Sequence, residues 1–183
     1  MASSYLKSAL LQFHYYKELG DKTIDQIPET KLSYKVNAQT NSINTIVKHL
    51  SGNMISRWTD FLTTDGEKEW RNREDEFNDT IQSKEDLIRI WNKGWEVLFN
   101  SLEKLNHDDL EKINYIRNEG HTVMESINRQ LCHYSYHVGQ LVYLGVLICG
   151  EQWNSLSIPK GESNQFNLEK FSKPKSRKNF LEG

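Results

Sequence analysis

Cysteine is scarce in this chain, with only Cys132 and Cys149 among 183 residues. Both fall on one long helical stretch, and seventeen residues at ~1.5 Å each put them roughly 25 Å apart, too far to be bridged. No disulfide framework is expected, which fits an intracellular protein. Proline occurs three times, as Pro28, Pro159 and Pro174, and never inside the central periodic segments, which favours helices there. No apolar run reaches the ~20 residues that cross a bilayer. Charge of one sign is lacking too: 23 Lys and Arg stand against 25 Asp and Glu, so nucleic acid is not an expected partner. The first seven residues lack the charged-then-apolar pattern of a secretory signal, and a cytoplasmic location is the expectation.

Several chemistries are excluded by missing motifs. There is no glycine-rich phosphate loop and no Gly-x-Ser-x-Gly elbow. Tyr134 and Ser135 follow His133, so the His-Glu-x-x-His of zinc peptidases is absent. The paired Glu-x-x-His motifs of di-iron bundles are missing as well.

What is present is helical periodicity. A first helix is expected over residues 4–19, with Leu6, Ala9, Leu10 and Phe13 on one face and Gly20-Asp21 as its stop. A second starts at Thr40 or Asn41 and carries Ile43, Ile46, Val47, Leu50, Met54, Trp58 and Phe61, closing at residues 63–66. The charge-dense run 67–76 reads as a solvated connector. A third helix opens on a capping box at Ser83 and buries Leu87, Ile90, Trp91, Trp95, Leu98, Leu102 and Leu105. Residues 113–117 read as a short extended piece, with Asn118-Glu119-Gly120 as a turn. The fourth helix, residues 122–148, stops at Gly150 and is apolar on most of its circumference, which asks for burial on more than one side or a homodimer seam. The expected fold is all-α: a four-helix bundle with an extended connection between helices two and three. It forms one domain over residues 1–167, followed by a mobile basic tail at 168–183.

The chemistry resides in histidine. His133 and His137, four residues apart on the fourth helix, are one turn apart on its surface. Two such imidazoles can share one ion at ~2.0–2.1 Å without bending the backbone. His49 stands at the edge of the apolar stripe of the second helix, with Asn53 and Arg57 at successive one-turn intervals. If the two helices pack together, three imidazoles converge and leave a coordination position open, the mark of a reactive rather than a structural site. Gln130, Tyr134 and Gln140, with Asn53 and Arg57, are the expected pocket lining. His14, His107 and His121 lack such partners and read as surface or capping residues.

One histidine in helix two and His-x-x-x-His in helix four resembles the DinB-like superfamily of metalloenzymes. The segments Lys48-His49-Leu50-Ser51-Gly52-Asn53-Met54, Arg57-Trp58-Thr59-Asp60-Phe61-Leu62 and Ser157-Ile158-Pro159-Lys160-Gly161 are similar to one bacterial branch of it, over residues 4–170. The resemblance implies a bundle of four to five helices, a divalent ion (zinc, nickel or iron) on His49, His133 and His137, and a homodimer. It also implies a small-molecule substrate, a low-molecular-weight thiol in the better-understood relatives, handled by thiol transfer or hydrolysis. The alternative is a non-catalytic module in which the metal only ties helices together.

Overall fold

The computed structural model describes residues 4–179 and 181. Five α-helices, α1 (Ser4–Gln26), α2 (Ile43–Trp58), α3 (Lys84–Leu102), α4 (Val123–Cys149) and α5 (Ser163–Phe171), make up most of the described residues. The all-α expectation needs one correction. Residues Ile113–Ile116 (β1) and Glu119–Thr122 (β2) pair antiparallel, Ile113 opposite Thr122, as a small two-stranded sheet. Its turn is Arg117-Asn118, both left-handed (φ 56° and 62°), the geometry of a two-residue hairpin rather than a turn at 118–120. Asp65 steadies it, accepting the Arg117 and Asn118 backbone N–H groups at 2.9 and 2.8 Å.

The four long helices pack α1 on α4 and α2 on α3, with α2 also against α4. Phe13, Trp58, Trp91, Trp95 and Tyr134 fill the centre, each 2 % exposed or less. Burial of side chains this large dominates the favourable energy of the fold, at roughly 1.5–3 kcal/mol or more each.

The helix boundaries follow from capping chemistry. Gly20-Asp21 does not end α1, which runs to Gln26. A Cβ on Gly20 would sit 2.3 Å from Trp91 Cζ2, and Trp91 Nε1–H donates to Asp21 Oδ1 at 2.7 Å. The pair is therefore a seat for an indole of α3. Helix α2 begins after Ser42, whose Oγ accepts from Thr45 N, one to two residues later than expected. It ends at Trp58, short of Phe61, because Asp60 turns left-handed at φ 48°. Thr122 and Glu125 form a capping box at the start of α4, and Gly150, at φ 54°, closes it. Helix α4 is half-wrapped. Val138, Leu141 and Leu144 are buried, while Tyr136, Tyr143 and Leu147 are exposed. Helix α5 lies beyond the four that periodicity predicts, though within the four to five helices that the resemblance implies; its residues are exposed and it spans position 167/168, where the tail is expected to begin. Residues 1–3, 180, 182 and 183 of the expected domain and tail lie outside the described residues. No helix is long and apolar enough to cross a membrane.

Candidate metal centre

Contact between α2 and α4 brings His49, His133 and His137 together, with one ring nitrogen from each within 4.8 Å of the others. The ring centroids lie 5.4 Å (His49–His133), 4.9 Å (His49–His137) and 4.8 Å (His133–His137) apart. His49 is buried and the other two half-buried.

Each imidazole is held on its Nδ1 side by an acceptor. His49 Nδ1–H donates to Glu76 Oε2 at 2.9 Å, His133 Nδ1–H to Gln130 Oε1 at 3.3 Å, and His137 Nδ1–H to Gln140 Oε1 at 2.9 Å. Placing the proton on Nδ1 leaves the lone pair on Nε2 in all three rings, the tautomer that metal-binding histidines adopt when an outer partner orients them. His49 Nε2 and His133 Nε2 are 3.4 Å apart. Two nitrogens at ~2.0–2.1 Å from one ion with a tetrahedral angle between them would be separated by about 3.3–3.4 Å. Three imidazoles each tied back at Nδ1, with a ring nitrogen from each within 4.8 Å of the others, are a donor set that fits a divalent cation. Burial, reinforced by His137, His49, Arg57 and Arg71, lowers His133 to about 3, so its ring is neutral at ordinary pH. Burial also lowers His137, against the hydrogen bond from its ring to Gln140.

The connector 67–76 is not simply solvated, contrary to its reading from sequence. Glu76 is 5 % exposed and the Arg71 side chain 3 %. Arg71 Nε and Nη2 donate to the two Glu76 oxygens at 2.7 and 3.0 Å. Burial would raise the Glu76 carboxyl, but the hydrogen bonds from His49 and Arg71 and the Arg71 charge hold it below its ordinary value. The carboxylate that orients His49 is thus ionised, and Phe77, the residue after it, stacks on the His49 ring at 5.4 Å between centroids. Gly52 makes room for it: a Cβ there would stand 2.4 Å from Glu76 Oε1.

A cavity of about 210 Å³ adjoins His49 and His133, and Asn53, Arg57 and Gln130 line it. Arg57, 8 % exposed, donates to the Gly66 carbonyl and to Glu67 Oε2 at 3.0 Å. Tyr134 does not face this cavity. It is fully buried, receives Trp58 Nε1–H at 3.1 Å and donates to Asn53 Oδ1 at 3.1 Å, which fixes the Asn53 amide. Gln140 lies on the other side of the histidines, beside an apolar groove with Tyr136, Tyr143 and Leu147. His14 stacks on Phe99, far from the group in role, and His107 opens a short 3-10 turn.

Sequence reasoning missed Glu76 and Arg71. The signal was the alternation Glu67…Arg71…Glu76, whose opposite charges can satisfy one another when covered. The chain matches, over residues 1–162, the family described as Protein of unknown function (DUF1572), and it belongs to that family. No curated protein and no solved structure matches it.

Proposed function

We propose that this member of the DUF1572 family is a metal-dependent enzyme acting on a small molecule, by thiol transfer or by hydrolysis. In this reading the four long helices form a DinB-like bundle, and the active form is a cytoplasmic homodimer using the exposed apolar face of α4. The observation that carries it is the shared tethering of the imidazoles, three Nδ1–H groups tied back, with His49 Nε2 and His133 Nε2 3.4 Å apart and a His137 ring nitrogen within 4.8 Å of the group. His49, His133 and His137 would hold a zinc, nickel or iron ion. When bound, such an ion supplies a Lewis-acidic position that favours thiolate over thiol or makes a water more acidic.

The remaining roles belong to the chain itself. Glu76 keeps His49 in its tautomer. Asn53 and Gln130 present amide N–H groups to the cavity, since their oxygens are taken by Tyr134 and His133. Neither Glu67 nor Glu76 is free as a proton acceptor, because arginines hold both carboxyls below their ordinary values against the effect of burial. Structural zinc sites close with four protein ligands. Among the described residues the group here has three, which supports a reactive centre over a purely structural tie.

Elemental analysis of protein purified without a metal-affinity tag tests this reading. About one equivalent of transition metal per chain is expected, lost in His133→Ala. Substoichiometric metal that the substitution leaves unchanged would defeat it.

A further inference from the structure

The cavity beside the histidines is lined by Arg57, Arg71, Arg73, Arg117 and Arg129, five of the seven arginines in the sequence, and by no lysine or carboxylate. They arrive from four separate places: Arg57 on α2, Arg71 and Arg73 on the connection, Arg117 at the hairpin tip and Arg129 on α4. A chain whose net charge is −2 has concentrated its guanidinium groups at one opening.

Internal pairing does not consume that charge. Glu76 pairs with Arg71, and Glu67 is shared among Arg57, Arg71 and Arg117 at 3.0, 3.8 and 3.1 Å. Two carboxylates therefore face five guanidinium groups. Arg73 and Arg129, both exposed, have no carboxylate partner among the described residues. The neutral lining points the same way. Asn53 and Gln130, 6 % and 3 % exposed, have spent their carbonyl oxygens on Tyr134 and His133, so what remains is N–H. Among these side chains the cavity offers donors and positive charge.

One of these arginines is held at a conformational cost. Arg117 is left-handed at φ 56°, a region that residues with a Cβ enter only at a steric cost. Asp65 fixes the turn that presents its guanidinium at the rim. Arginine's planar fork recognises carboxylate or phosphate oxygens in pairs, which lysine's point charge does not.

From this geometry we infer that the cavity binds a small anion bearing at least two negatively charged oxygens, a dicarboxylate or a phosphoryl group, next to the three-histidine centre. The inference deepens the reading of that centre as an active site by naming its substrate class. A volume of about 210 Å³ suits a small molecule or one anionic end of a larger one.

Isothermal titration calorimetry on the full chain, both metal-loaded and chelator-treated, tests it with three probes: succinate, inorganic phosphate and uncharged succinamide. Saturable binding of at least one anion at millimolar concentration or below is expected, weakening with added salt, and none of succinamide. Tighter binding of succinate identifies a carboxylate ligand, and tighter binding of phosphate a phosphoryl one. Arg73→Ala and Arg129→Ala, at exposed positions without ion pairs, should each weaken it by about tenfold, with partial recovery in the lysine variants. His137→Ala, at a ring outside the cavity lining, should lose metal yet keep anion binding, so the two readings fail separately. Absence of saturable binding, equal binding of succinamide, indifference to both arginine variants, or loss of anion binding in His137→Ala would overturn the inference.

Discussion

Two stretches of this chain are dense in charge and meet opposite fates. The connection 67–76 folds against α2, burying Glu76 and the Arg71 side chain over the histidines. Lys170, Lys173, Lys175, Arg177 and Lys178, near the other end, remain exposed. Both runs are polar, so polarity does not separate them. The difference is sign. The connection alternates acid and base at spacings that let Arg71 reach Glu67 and Glu76, whereas the charged residues of 170–178 are all basic. A charged segment can be covered when its desolvation is offset from within, and here a histidine ring supplies a further partner.

Removing one partner should break that contrast most sharply. Glu76→Ala leaves the Arg71 guanidinium buried without its closest carboxylate, at an expected cost of about 3 kcal/mol, or roughly 6–12 °C in Tm by circular dichroism. An unchanged Tm would mean the connection contributes nothing to the fold. Next in size is Gly52→Ala, whose methyl would collide with Glu76 Oε1 pinned between Arg71 and His49. About 2 kcal/mol of stability should be lost, with metal affinity about tenfold weaker, read by competition with a chromogenic chelator. Glu76→Gln keeps the shape but not the charge, and metal affinity should fall about 10–100-fold.

Acid should loosen the same region. His133 takes up its proton near pH 3 when folded and near 6.5 when unfolded. Between those values the unfolded chain binds the extra proton, so the metal-free protein should lose stability as pH falls through this window and be insensitive to this group above it. Urea midpoints from pH 7.5 to 4 test the sign, and a flat profile would argue that the ring is accessible and charged. The smallest effect belongs to the basic run. Lys173→Ala with Lys175→Ala should move stability by no more than about 0.5 kcal/mol, and a larger change would show that this segment, too, is docked.

Much of the centre was legible because helices convert spacing into direction. His133 and His137 one turn apart, and His49, Asn53 and Arg57 at successive turns of α2, need only the two helices to touch. Glu76, Arg71 and Arg117 were not legible, because irregular segments carry no period from which direction can be read. Gly20-Asp21 misled for a related reason. Its local signal is a helix stop, and only the indole of Trp91, 71 residues further on, shows why the glycine is there. The hairpin turn shifted by one residue because Arg117, not a habitual left-handed residue, occupies the first central position.

The imidazoles sit on two long helices, while three of the five cavity arginines sit on a connection and a hairpin tip. On the proposed reading of the cavity, scaffold and selectivity are written largely in different parts of the chain. If the cavity binds an anion as inferred, exchanging Arg73 or the 117–118 turn would redirect which molecule enters while Arg71 still holds Glu76 against His49. Divergence among members of such a family would then accumulate in two short irregular stretches, and transplanting those stretches between members is a direct route to altered preference.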